Sequence, residues 1–457
     1  MSRPAATLVP DLAWIGGRFR AGVAVEVDTT GRIAAVRDAA QARGRPGEVR
    51  RLHGRALLPG FVNAHSHAFQ RLLRGRTQWR PVEAGDADFW TWREAMYDLV
   101  LGLDEDRLAS ASRACFAEML RAGFTSVGEF HYVHRAPDGA ALEPPERLAR
   151  IVVDAARDAG IRIVLLYVAY AAGGIGLPLE ARQRRFATPS LEEYLAGLDR
   201  LAAELATPEA PAATVGAAPH SLRGVPREWL GPIADWSARG GAPLHMHVAE
   251  QPAEVEACVA AYGASPVRVL ADAGVLSPRF TAVHATYIDA DDAGLLAESG
   301  ATVCACPTTE RDLADGFLPL ELLRPAGVPI ALGTDSNAVI DAFEEMRCVE
   351  YHERLRTGRR VVVADPVERP DGGAPDRLAC APPLLAMGTR NGARSLGLDA
   401  GAIEPGLLAD LVAVDLAHPT LDHHGADTLA SMLVFGAPPA LVREVWVGGT
   451  EVGLDRL

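Results

Sequence analysis

The 457-residue chain contains no lysine, so all 45 of its positively charged side chains are arginine. This absence excludes a Schiff-base lysine, a P-loop lysine and a carboxylated lysine bridging two metal ions, because a guanidinium group cannot do the chemistry of an amine. Positive charge is also in deficit, 45 against 59 acidic residues, which leaves a net charge of −14. Such a surface repels a phosphate backbone or an anionic membrane, so neither nucleic acid nor membrane is an expected partner. Cysteine is scarce, six residues without framework spacing, which excludes a disulfide scaffold and fits a reducing cytoplasm. No apolar run has the length of a bilayer span, and residues 1–7 lack the apolar stretch of a signal peptide.

What is present suits a globular protein with a large core, at 49% hydrophobic and 23% charged residues. The length alone allows about three domains, but α/β barrels exceed that unit size, so one barrel with a small accessory domain is the economical reading. Helical patterns at 107–122 and 252–262 alternate with short apolar runs at 161–168, 244–248 and 280–284. That alternation predicts βα units and a parallel sheet. Short strands with turns are expected at both ends of the chain, at 12–17, 23–28, 409–414 and 442–447. The stretch 364–376, rich in proline and aspartate, reads as a long surface loop without regular structure. No internal repeat of solenoid period is present.

The most informative motif closes the apolar run 57–67 with His65-Ser66-His67. Side chains alternate across a strand, so the two histidines point the same way and can share one metal ion. Neutral imidazole suits zinc, yet two histidines cannot complete a tetrahedral site. Candidates for the remainder close three later apolar runs: His245 and His247 at 243–250, His284 at 281–286, and Asp335 at 328–336. A parallel barrel builds its site at these C-terminal strand ends. Strand parity puts His245 and His247 on one face, and His247 lies nearer the strand end. Asp335 could instead cap a following helix, and His284 could be a core histidine. Cys304 and Cys306 read as small residues of a buried strand, and His423 and His424 as solvated loop residues.

The order His-x-His, histidine, histidine, aspartate, each closing a strand, resembles the amidohydrolase superfamily over nearly the whole chain. Within it, the segments 65–71, 89–94, 129–134, 219–223 and 247–251 resemble the formimidoylglutamate deiminase branch. The resemblance implies a TIM-type (β/α)8 barrel over 57–398, with a small β-sandwich formed by 1–56 and 399–457. It implies His65, His67, His247 and Asp335 as metal ligands, with His245 behind them. His284 and Asp335 would act on the attacking water, and Glu250 would handle protons. Gln70, Arg93, Tyr132, His220 and Arg223 would bind substrate, the two arginines gripping the carboxylates of an amino diacid by their planar forks. Binuclear members commonly use a bridging lysine, so the lysine-free chain implies one zinc ion per chain. The expected reaction is hydrolysis of N-formimidoyl-L-glutamate to N-formyl-L-glutamate and ammonia in histidine degradation, by a cytoplasmic enzyme that could form a homodimer. The alternatives are a deaminase of a nucleobase or related ring and a non-catalytic barrel scaffold. The segment 306–316 and Asn337 receive no chemical role from this reading.

Overall fold

The apolar run 57–67 is divided at Gly60 between two sheets. In the computed structural model, which describes residues 4–42, 48–83, 85–206, 212–367 and 375–457, the first sheet begins with β1 (Pro4–Ile15), β2 (Arg18–Arg20), β3 (Val23–Asp28), β4 (Ile33–Asp38) and β5 (Glu48–Pro59). The chain then enters the barrel through β6 (Phe61–Ser66), β7 (Phe124–His131), β8 (Arg162–Ala169), β9 (Ala213–Pro219), β10 (Leu244–Val248), β11 (Phe280–His284), β12 (Thr302–Ala305) and β13 (Ile330–Leu332). After the short β14 (Asp365–Pro366) and β15 (Leu378–Ala379), the strands β16 (Leu411–Asp415), β17 (Val442–Val447) and β18 (Thr450–Val452) return to the first sheet. Its order is β18-β17-β16-β5-β1-β3-β4, with β2 on β1.

The eight barrel strands are parallel and hydrogen-bonded in chain order from β6 to β13. All residues of these strands but the exposed Thr214 of β9 are buried, as expected when a parallel sheet encloses a packed interior and is covered outside by helices. The helix Arg147–Ala159 shows how the cover forms: Leu148, Val152, Val153, Ala155, Ala156 and Ala159 recur at helical spacing and are buried. Gly160, at φ 90°, ends it in the left-handed conformation that suits glycine.

The barrel closes between β6 and β13, where the Asp335 N–H donates to the His65 carbonyl and the His67 N–H to the Asp335 carbonyl, each at 2.9 Å. Gly333 permits this approach, because a Cβ there would lie 2.7 Å from the His65 carbonyl oxygen. At the opposite end of the barrel, Arg162 at the start of β8 makes a bidentate pair with Asp410, at 2.9 and 3.0 Å, that ties barrel to terminal sheet.

The two chain ends combine, as expected, into a separate sheet, with Leu8, Val25, Ile33, Leu57, Leu411 and Trp446 in its own core. Two details differ. Strand β5 runs past the expected boundary between 56 and 57, because residues 57–59 pair with β16. The stretch 364–376 is not wholly irregular: Asp365 and Pro366 pair antiparallel with Ala379 and Leu378. Residues 368–374 of that stretch lie outside the described residues. Among the described residues no helix is long and apolar enough to cross a membrane.

Candidate metal centre

The closing seam of the barrel is also where the metal ligands meet. One donor atom each from His65, His67, His247 and Asp335 lies within 4.8 Å of all the others, and all four residues are buried. His65 Nε2 is 3.1 Å from both His67 Nε2 and His247 Nε2, and Asp335 Oδ1 is 3.1 Å from His67 Nε2. The other ring nitrogens decide what this cluster can hold. His67 Nδ1 donates to the Phe130 carbonyl at 2.9 Å, and His247 Nδ1 to the His220 carbonyl at 3.0 Å. A neutral ring that donates from Nδ1 keeps a lone pair on Nε2. A proton on His65 Nε2 could serve only one of its two neighbours, so lone pairs would face each other unless a cation sits among them. Burial, the largest influence, pushes the His65 imidazole down to about 3 and so keeps it neutral. Burial alone would raise the Asp335 carboxyl, but hydrogen bonds with His65 and His67 hold it well below the ordinary range. Three imidazoles and one carboxylate fit zinc.

Parity could not separate His245 from His247. The structure does: His245 Nε2 donates to the Ser395 carbonyl at 2.9 Å and stays out of the cluster.

His284 lies beneath the cluster, fully buried, with Nε2 3.8 Å from Asp335 Oδ2 and 3.6 Å from Glu250 Oε1. Its Nδ1 faces Glu310 Oε1 at 3.3 Å. Burial would lower this imidazole, yet the surrounding carboxylates, Glu250 first, raise it well above its ordinary value. Backbone strain concentrates here: Ala249, His284, Ala285, Asp335 and Asn337 all have φ between 45° and 68°. Such conformations in non-glycine residues persist where the surroundings enforce them, and they cluster at functional sites.

Two features without an assigned role find one. Asn337 Nδ2 donates to Ser66 Oγ, the His67 carbonyl and the Asp335 carbonyl, and Oδ1 accepts from Thr334 Oγ1, so the side chain staples the seam. The segment 306–316 supplies Glu310, which orients His284 and accepts from the Cys306 N–H at 2.8 Å. The signal for Glu310 was its place four residues after a strand-end residue, Cys306, with Pro307 opening a helix. Cys304 and Cys306 are buried in the apolar layer with Ala64, Val283 and Ala331. His423 is exposed; His424 is half-buried and donates to the Leu421 carbonyl.

A cavity adjoins the cluster, lined by His67, Gln70, Arg93, Tyr132, His220, Arg223, His247, Glu250 and Asp335. Gln70 Nε2 donates to Tyr132 OH at 2.7 Å. His220 Nδ1 meets Ser221 Oγ, while its carbonyl holds His247. Arg93, on the helix Phe89–Leu101, lies over the Trp90 ring at 4.5 Å, and Arg223, in the loop after β9, lies over the same ring at 5.8 Å. Arg223 also pairs with Glu250 at 3.0 Å, a contact that the sequence did not announce.

Three comparisons agree with this architecture. A formimidoylglutamate deiminase of Pseudomonas aeruginosa is 36% identical over 95% of this chain and 91% of its own. The crystal structure of an amidohydrolase from Brucella melitensis superposes with a TM-score of 0.86 at 30% identity, covering 98% of this chain and 94% of that one. An adenosine deaminase from Xanthomonas campestris with bound zinc gives a TM-score of 0.80 at 27% identity, covering 98% and 93%. The model of the amidohydrolase family matches residues 56–452, and with its metal-ligand cluster at the C-terminal rim of a parallel barrel the chain belongs to that family.

Proposed function

We propose that the protein is a zinc-dependent deiminase that hydrolyses N-formimidoyl-L-glutamate to N-formyl-L-glutamate and ammonia, a step of histidine degradation. The observation that carries this reading is the placement of Arg93 and Arg223 over one indole ring, in the cavity that the metal ligands floor. Two guanidinium groups suit a substrate with two carboxylates, and a neutral ring needs neither. They also offset locally the repulsion that a net charge of −14 exerts on a dianion. The 36% identity to the Pseudomonas aeruginosa deiminase supports the same substrate.

A bound divalent ion lowers the pKa of water from 15.7 toward roughly 7, which makes a nucleophile available at neutral pH. The chain's own groups do the remainder. Asp335 and His284, at 3.8 Å from each other, hold the attacking water against the formimidoyl carbon. Glu250 delivers a proton to the imine nitrogen, and Asp335 passes the second to the leaving ammonia. The carbon–nitrogen double bond is thereby exchanged for a carbonyl: one water enters and one ammonia departs.

Ammonia release across a panel of formimidoyl amino acids and aminopurines tests the reading. Formimidoylglutamate is expected to give the highest kcat/KM. A preference for an aminopurine, the kind of ring suggested by the name of the Xanthomonas campestris relative, would replace the diacid reading with ring deamination.

A further inference from the structure

Arg223 faces two demands that conflict. As a carboxylate clamp it must offer its fork to the substrate, yet its Nη2 donates to Glu250 Oε2 at 3.0 Å and lies 3.5 Å from Glu254 Oε2. Both side chains of the Arg223–Glu250 pair are sheltered, at 14% and 7% exposure, so the contact is not a solvent-screened surface pair. While Arg223 holds Oε2, only Oε1 is left to carry a proton, and the pair fixes where that oxygen points. Glu250 is therefore unable to turn to the imine nitrogen until Arg223 lets go.

We infer that the Arg223–Glu250 pair is a substrate-released lock: a carboxylate of the substrate takes the Arg223 fork, and only then is Glu250 free to transfer its proton. The inference rests on the proposed diacid substrate. Glu254 makes the exchange feasible. It is fully buried, sits on the helix Pro252–Tyr262, and accepts from the Glu250 backbone N–H at 3.1 Å. Arg223 thus keeps one anionic partner when the Glu250 side chain leaves, and the main chain of Glu250 stays anchored while its carboxylate moves. Arg223 Nε has no acceptor among the described residues, which leaves a second donor of the fork for an incoming carboxylate. On the other side, Glu250 Oε1 is 3.6 Å from His284 Nε2, so the freed carboxylate already faces the reaction centre. Among the described residues Arg93 has no carboxylate partner, and it stacks on Trp90 and Tyr97, so it clamps without locking.

A lock and a passive clamp differ in which kinetic constant they move. A passive clamp adds binding energy, so a substrate lacking the carboxylate suffers in KM. A lock leaves Glu250 paired when that carboxylate is missing, so kcat falls even at saturation. The test measures ammonia release by the zinc-loaded wild type and by Arg223→Met on formimidoylglutamate, N-formimidoyl-4-aminobutyrate and N-formimidoyl-2-aminobutyrate; the two analogues each lack one carboxylate. One analogue is expected to show a wild-type kcat about tenfold or more below that of the full substrate, and Arg223→Met is expected to raise kcat on that analogue at least roughly threefold, the signature of a removed inhibitory contact. Equal wild-type kcat for all three compounds, with losses confined to KM, would overturn the lock whether or not the methionine variant folds, and would leave the deiminase reading standing. A depressed analogue kcat that Arg223→Met does not raise also overturns it. Absence of wild-type turnover of formimidoylglutamate overturns both.

Discussion

The Arg162–Asp410 pair at the base of the barrel and the site at its rim treat polar groups in opposite ways. At the base, Arg162 and Asp410 are buried and satisfied: the fork is bidentate, and Asp410 also accepts from the Gly448 N–H. At the rim, buried polar atoms have no hydrogen-bond partner among the described residues, including His65 Nδ1, Gln70 Oε1, Arg93 Nε, Arg223 Nε, Glu254 Oε1 and His284 Nε2. The rim also carries the strained backbone of Ala249, His284, Ala285, Asp335 and Asn337. Unmade hydrogen bonds and strained residues each cost about 1–3 kcal/mol. A fold tolerates that only where the rest of the structure over-determines the geometry and where a ligand completes it. The base supplies stability and the rim converts part of it into unmet valence.

Substitutions at the two ends should separate these roles. The largest effect is expected at the seam. Asp335→Ala removes a proposed ligand and proton carrier together, so turnover should vanish and elemental analysis should find the proposed zinc ion lost. Two tightly bound ions in the wild type, both needed for activity, would break the assignment of one ion to this cluster. Next, Glu250→Gln should keep metal and fold while kcat falls about 10²–10⁴-fold, the usual span for a lost general acid; near-normal turnover would remove Glu250 from the chemistry. Smaller still, Arg93→Met should lower kcat/KM for formimidoylglutamate by roughly tenfold or more, since a charge-assisted hydrogen bond contributes about 1.5–3 kcal/mol. Its melting temperature should scarcely move. At the base the pattern should invert: Asp410→Ala strands a buried guanidinium and should destabilise by about 3–5 kcal/mol in denaturant unfolding, with kcat per folded molecule unchanged. A loss of kcat there, at full metal content, would show that the two ends are not independent.

The rim was partly legible beforehand because its candidate metal ligands obey local rules. His65 and His67 share a face by the period of a strand, and His284 and Asp335 each close an apolar run, so their places at the rim follow from position along the chain. The arginine half obeys no such rule. Nothing in the spacing of Phe89-Trp90-Thr91-Trp92-Arg93 places it over the loop that carries Arg223, and 45 arginines offer many false candidates. The partners of Glu310 and Asn337 were unreadable for the same reason, even where position hinted at a role for Glu310: each acts on a residue that is distant in sequence, Glu310 on His284 and Asn337 on Ser66 and His67.

By itself the sequence determined the alternation of strands and helices, the strand-end positions of the histidines and Asp335, and, through the absence of lysine, the impossibility of a carboxylated-lysine bridge. Those follow from side-chain periodicity and residue chemistry, which are local. Only the tertiary structure decided that His247 rather than His245 joins the cluster, that β6 and β13 close over Gly333, and that Arg223 is shared between Glu250, Glu254 and the cavity. Each of those outcomes depends on distances between segments that fold brings together, and buried electrostatic partnerships are set by such distances rather than by order along the chain.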